Sequence, residues 1–380
     1  MDNSPRMPLD PVEVRHWLHQ NPELGYAEKR TTQFLLEQVQ QLEGVKIHRP
    51  LETGMVVERT KGPGPYLLFR ADIDALPIVE QTGWAYASTN GCMHACGHDV
   101  HASILYAFLR NVVQNDLPGN FLFFFQPAEE GGGGAEKAIQ TGIFEGFNIS
   151  HSFALHVTDE MPKGVLGVND DVLFASAFLL VAHFEGVSAH VAAPQMGKDA
   201  LNACRTFLDL ADRLPNPPEE YVLYARGLLH AGDVHNIIPA KARIEGSLRS
   251  RTLESNLRYL DRLEQVARAV ELATGVNVKL ETFSRYPGVQ IDPGVFRKVM
   301  DALSGQFRFE RVPMKMTGED FGFLCQKYPS MMFWLGTGTG NPVGLHNPRF
   351  LPDDDIIEFG AGFFQQLARA FQPEGRVVNV

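Results

Sequence analysis

Cysteine is scarce in this chain: Cys92, Cys96, Cys204 and Cys325 are the only four in 380 residues. So few thiols cannot frame a chain of this length, which excludes a disulfide scaffold and leads us to expect a reducing, cytoplasmic setting. Long apolar runs are missing too. No stretch approaches the roughly 18 residues of a membrane-spanning helix, and the opening MDNSPRMPLDPVEVRHWLH has no apolar leader core, so neither membrane attachment nor processing is expected. Positive charge is in deficit, with 34 Lys and Arg against 45 Asp and Glu and a formal charge of −11, which disfavours nucleic acid and anionic membrane partners. There is no internal repeat, and low complexity is confined to residues 131–134.

What remains is ordinary globular composition, 44% hydrophobic and 21% charged, over a length that suggests about two domains at roughly 150 residues each. Helical spacing of apolar residues predicts helices over 8–20 and 26–42, with Gly25 between them. Strands are expected at 54–59 and 66–71, then a helix over 99–115. The run NFLFFFQ at 120–126, bounded by Gly119 and Pro127, has the pattern of a strand buried on both faces, hence of a mostly parallel sheet between helices. From 175 the order becomes β-α-β-β-α-β, with strands at 176–186, 221–231, 240–250 and 277–283 and helices at 199–214 and 253–274. After Pro287 the alternation returns, with helices at 294–303, 320–326 and 354–371 and strands near Val312 and at 331–335. The expected fold is α/β: a discontinuous domain of residues 1–174 and 285–380 with a mixed, mostly parallel sheet, interrupted by an inserted domain of residues 175–284.

Chemistry-bearing residues concentrate at a few places. His94-Ala95-Cys96-Gly97-His98-Asp99-Val100-His101 packs three imidazoles, a thiol and a carboxylate into eight residues. Residues two apart in extended chain face the same side, so Cys96 and His98 can converge on one ion; His94 and His101 are assigned supporting or structural places. Glu129 and Glu130 follow the 120–126 strand, where an irregular loop lets both face one cavity. One carboxylate as ligand beside another as general base is what hydrolysis by a metal-bound water requires, although a solvated acidic pair would explain the two glutamates taken alone. His156 ends the apolar run FALHV, and His346 lies in the loop after the 331–335 strand. Asp72 and Asp74 follow the 66–71 strand. All sit at or just beyond the carboxyl ends of predicted strands, the edge at which open α/β sheets bind ligands. Five candidate ligands (Cys96, His98, Glu130, His156 and His346) exceed a single catalytic zinc site and suit two bridged metals, whose identity among zinc, manganese, cobalt and nickel the donors leave open. The Gly-rich stretches at 131–134 and 336–340 lack the Lys-Ser/Thr ending of a phosphate loop, and the second is expected to approach a substrate or turn sharply.

The strings HQNPELGYAE, RADIDALP, MHACGHDVH, FQPAEEG, ALHV, GVSAHVAAP, HNIIPAKARIEGSLRS, MTGEDFG and GLHNPRFLPDD resemble the bacterial and plant amidohydrolases of the aminoacylase and carboxypeptidase G metallopeptidase superfamily. The resemblance spans about residues 19–355. GHDVH, MTGEDFGFL and MFWLG are most similar to the N-acetyldiaminopimelate deacetylases. It implies two divalent metals per subunit held by Cys96, His98, Glu130, His156 and His346, with Glu129 as general base. Where the wider superfamily has a His-x-Asp motif this chain has Asp72-Ile73-Asp74, so one ligand is missing or replaced and Asp74 is left to orient a ligand. His190 matches a histidine that reaches the scissile carbonyl oxygen, donated across a dimer in several relatives. Asn236 and Arg249 match oxyanion and substrate-carboxylate contacts; for Arg249 a surface charge at a strand edge stays open as the alternative. The inserted domain is implied to act as a lid and as the surface for a homodimer or homotetramer. The implied substrate is a small N-acyl amino acid, foremost N-acetyl-L,L-diaminopimelate, cleaved to L,L-diaminopimelate and acetate in lysine biosynthesis. The alternatives are a broader hydrolase acting on hippurate, N-acetylcysteine or indole conjugates, and a non-catalytic binding protein, against which the retention of both Glu129 and Glu130 argues.

Overall fold

The computed structural model describes residues 8–372. Its contacts divide into two units. Among the described residues the larger holds those through Leu173, Gln290–Pro313 and those from Phe323 on; the smaller holds Phe174–Val289 and Met314–Gly322. The expected boundaries, 1–174, 175–284 and 285–380, differ from this division chiefly at Met314–Gly322. Hydrogen bonds explain the difference: the Ala175 amide donates to the Lys315 carbonyl at 2.9 Å, and the Arg249 side chain donates through Nη1 to the Met316 carbonyl at 2.6 Å.

In the larger unit eight strands stand in the order Lys46–His48, Met55–Lys61, Gly119–Gln126, Tyr66–Asp72, Ile149–Pro162, Ser330–Gly338, Leu166–Val168, Phe309–Arg311. The sheet is mixed. Tyr66–Asp72 runs parallel to both its neighbours, and Ile149–Pro162 runs parallel to Ser330–Gly338. Met55–Lys61 pairs antiparallel with Gly119–Gln126. Phe121, Leu122, Phe123, Phe124 and Phe125 are all fully buried. Phe123 stacks toward Phe108 of the helix His98–Gln114, while Phe124 meets Phe144 on the opposite face. An apolar run without alternation is therefore required, and each such side chain contributes about 1.5–3 kcal/mol by leaving water.

The first helix begins at Pro11 rather than Pro8, because Asp10 and Glu13 form a reciprocal cap: the Val12 amide donates to Asp10 and the Asp10 amide to Glu13. One long strand overruns expectation. Ile149–Pro162 continues past His156, so that residue lies within a strand rather than at its end. Gly336 and Gly338 likewise belong to the strand Ser330–Gly338 and make no ligand-facing turn.

The smaller unit repeats the order read from the sequence: strand Ser176–Glu185, helix Ala200–Ala211, strands Leu223–Ala231 and Lys241–Ser250, helix Leu253–Thr274, strand Asn277–Tyr286. All its neighbouring strands are antiparallel, with Lys241–Ser250 and Ser176–Glu185 in the centre. Phe178, Leu180, Ala182 and Phe184 alternate toward the helices and pack with Phe207, Leu263 and Val270. A short ladder, Ala189–His190 with Ile237–Ile238, lies beside this sheet. Among the described residues no helix is long and apolar enough to cross a membrane.

Candidate metal centre

The site of the larger unit is assembled at one level of its sheet. Asp72 pairs with Gln126, so these two parallel strands end together. Arg70 pairs with Ala154, which brings His156 to the level of Asp72 although its own strand runs on. The loops leaving this edge carry the remaining donors, as expected for ligand sites in parallel sheets.

Cys96 and His98 converge, but not by extended alternation. Gly97 has φ +82, and His98 opens the helix His98–Gln114. A Cβ at Gly97 would stand 2.3 Å from Val157, so only glycine makes this turn against the central strand. In the triads Cys96–His98–His156, Cys96–Glu130–His346 and His98–Glu129–Glu130 the ligand atoms lie within 4.8 Å of one another. The five donors read from the sequence and Glu129 thus form one connected cluster. Cys96, His98, His156 and Glu129 are buried, whereas the side chain of His346 is 52% exposed.

Tautomers follow from the partners. His156 Nδ1 faces the Val157 carbonyl at 2.8 Å, so it carries the proton and leaves Nε2 as the lone-pair atom, 3.4 Å from Cys96 Sγ. His98 Nδ1 faces two acceptors, the Asp74 carbonyl at 3.0 Å and Asp74 Oδ1 at 3.2 Å. Its Nε2 is buried without a hydrogen bond. His101 is different: Nε2 accepts the Val157 amide at 2.9 Å and Nδ1 donates to Asp72 Oδ1 at 2.6 Å. Both its nitrogens are engaged, so the Asp72–His98–His101 grouping lacks a lone pair from His101 for an ion. Asp72 is also held by Arg70 at 2.8 Å. His94 is buried with neither ring nitrogen hydrogen-bonded, and burial pushes it down to about 4.

The residues fit a divalent cation. Burial first, then the carboxylates of Glu130, Glu129 and Asp72, push the Cys96 thiol well above its ordinary value. Thiol, imidazole and carboxylate donors are crowded together, and a cation among them would offset the charge of the carboxylates. Glu130 Oε1, also buried without a hydrogen bond, lies 3.2 Å from His346 Nε2. Metal–ligand distances of about 2.0–2.3 Å require donor atoms a few ångströms apart, as these are.

The other residues singled out from the sequence are in the smaller unit. His190 and Ile237 are register partners, and the Val191 amide donates to the Asn236 carbonyl at 3.1 Å, so His190 and Asn236 lie on adjoining segments. His190 Nδ1 accepts the Ala192 amide at 3.1 Å, which places the proton of a neutral ring on Nε2. Arg249 is not at a strand edge: Lys241–Ser250 is paired on both sides. Its guanidinium also donates to Ser247 Oγ at 3.0 Å.

Three residues that sequence reading passed over support the cluster. Glu28 Oε1 accepts the Ala128 amide at 2.8 Å, Tyr26 donates its hydroxyl to the Gly132 carbonyl at 2.7 Å, and Asp159 Oδ2 accepts the Val343 amide at 2.6 Å. No local spacing marks them, since each meets its partner only after folding.

An α/β sheet with sulfur, imidazole and carboxylate donors at its carboxyl edge is an arrangement suited to a metal-dependent hydrolase. Comparison with known proteins makes the class specific. The profile of peptidase family M20/M25/M40 matches residues 68–370, and the chain belongs to that family. An N-acetyldiaminopimelate deacetylase of Exiguobacterium sibiricum is 36% identical over 368 residues, covering 95% of this chain and 99% of its own. One from Bacillus subtilis is 35% identical over 356 residues, covering 91% and 94%. The crystal structure of a Bacillus subtilis dinuclear metal-binding peptidase of the M20 family superposes with a TM-score of 0.80 at 28% identity, covering 94% of this chain and 96% of that one.

Proposed function

We propose that the protein removes the acetyl group from N-acetyl-L,L-diaminopimelate, releasing L,L-diaminopimelate and acetate. The observation that carries the hydrolytic reading is the connected cluster of Cys96, His98, Glu130, His156 and His346 around Glu129. The substrate follows from the deacetylases that match at 33–36% identity over nearly the whole chain. Two divalent ions are proposed, in line with the dinuclear neighbour, held by those five side chains.

When bound, the ions supply Lewis acidity toward the amide carbonyl and acidify the attacking water. Glu129 takes the proton of that water and delivers it to the leaving amine. Asp74 orients His98 through its Nδ1 proton. His190, whose Nε2 carries a proton in the neutral tautomer, donates to the developing oxyanion from its own subunit or a partner's. Asn236 assists it, and Arg249 recognises a substrate carboxylate. Residues 1–174 and 285–380 form the catalytic domain on this proposal, and residues 175–284 serve as lid and pairing surface.

The test is deacetylation of N-acetyl-L,L-diaminopimelate, N-acetylmethionine and hippurate, with metal content measured on the same sample. A kcat/KM at least tenfold higher for the first is expected. Comparable values would mean a broader N-acyl amino acid hydrolase, and failure on all three with metal loaded would mean a binding protein.

A further inference from the structure

Glu28 occupies the position that would normally cap a helix. It immediately precedes the helix Lys29–Val39, yet its side chain makes no capping hydrogen bond there. Aspartate, asparagine, serine and threonine are the side chains that ordinarily satisfy a first-turn amide from that place, worth about 1 kcal/mol, and the longer glutamate is free to reach another partner. Glu28 is instead fully buried and turned toward the loop that follows the strand Gly119–Gln126, where it accepts the Ala128 amide.

Ala128 is one of the few non-glycine residues with positive φ, at +52. A left-handed alanine costs on the order of 1–2 kcal/mol and persists only when its surroundings hold it. The surroundings are tight. A Cβ at Gly132 would stand 2.6 Å from the Ala128 Cβ, and the Gly134 amide donates to the Ala128 carbonyl at 3.1 Å. The next two residues, Glu129 and Glu130, have ligand atoms within 4.8 Å of one another and of His98.

We infer that Glu28 is a positioning residue: its carboxyl oxygen holds Ala128 in the left-handed turn that brings Glu129 and Glu130 to the donor cluster. The inference rests on the proposed roles of Glu130 as ligand and Glu129 as base. Only an acceptor is needed at that oxygen. Charge is not, and burial pushes the Glu28 carboxyl up to about 7, so that the neutral form is readily reached. Glutamine, which keeps an acceptor oxygen, should therefore replace Glu28, whereas methionine, which keeps the packing and loses the acceptor, should not.

The experiment titrates Co2+ into full-length apoprotein of the wild type, Glu28→Gln, Glu28→Met and Glu130→Gln. Heat and the thiolate-to-cobalt absorption of Cys96 are followed together. Glu28→Met should bind Co2+ about 10- to 100-fold more weakly, the usual effect of removing a group that orients a ligand, with Glu28→Gln within about threefold of wild type. Wild-type affinity in Glu28→Met would overturn the assignment, as would equal impairment in both Glu28 variants. Unchanged Co2+ affinity and stoichiometry in Glu130→Gln would instead bring down the ligand reading on which it rests. Independently of any variant, the Ala128 amide of the wild-type apoprotein should exchange slowly with deuterated solvent, and rapid exchange would also overturn it.

Discussion

Asp74 and His98 are joined at 3.2 Å through Oδ1 and Nδ1, while the other oxygen of the same carboxylate accepts the Glu130 amide at 2.9 Å. A single side chain thus holds the imidazole of one candidate ligand and the backbone of another. Two donors converge on one carboxylate, which is why neither an amide nor a hydroxyl can replace it.

Asp74→Asn places an NH2 group opposite either the His98 N–H or the Glu130 N–H, so one of the two contacts must break. Metal affinity should fall about 10- to 100-fold. Competition titration with a chromophoric chelator measures it, and wild-type affinity would show that the bridge does not orient the ligands.

If Glu129 is the base proposed above, Glu129→Gln should keep its full metal content and lose about 10²- to 10⁴-fold in kcat. Turnover and metal content on one preparation decide the matter. Near-normal turnover would assign the proton transfer elsewhere.

Asp159 lies three residues beyond His156 and accepts the amides of Val343 and Gly344, at 2.6 and 3.1 Å, just ahead of His346. Asp159→Ala should loosen that loop and reduce bound metal at limiting concentration. Asp159→Asn, which keeps an acceptor, should restore it. Elemental analysis after gel filtration would read both variants.

His19 sits between Asp99 at 2.8 Å and Glu80 at 3.0 Å. Burial works against its charge, but Asp99 and then Glu80 outweigh burial and raise it from 6.5 to about 9. Between these values the folded chain binds a proton that the unfolded chain releases. Its contribution, on the order of 3 kcal/mol, is therefore complete below pH 6.5 and lost as pH rises through about 9. Denaturant melts should show stability falling over that window, less steeply in His19→Gln; equal slopes would refute the imidazolium.

The strand Gly119–Gln126 was legible because Phe121–Phe125 leave no polar alternation, a pattern that only burial on both faces permits. The five candidate ligands were legible because thiol, imidazole and paired carboxylates are rare neighbours on a surface. The route by which Cys96 and His98 meet was not, since two residues of extended chain and a left-handed glycine turn bring the same side chains together. Met314–Gly322 could not be assigned from its pattern, as its pairing with Ala175 and Arg249 joins residues far apart along the chain.

Composition and local periodicity by themselves determined the α/β class, the β-α-β-β-α-β segment and the residue types able to hold a cation, because these depend on what neighbours along the chain bury or expose. Only the tertiary structure decided which nitrogen of His98 and His156 faces an acceptor and that His101 is already engaged by Asp72 and Val157. It also decided that Glu28, Asp74 and Asp159 accept the amides of Ala128, Glu130 and Val343. Hydrogen bonds act over about 3 Å, and residues a hundred positions apart come within that reach only when the sheet has set the level at which its strands end.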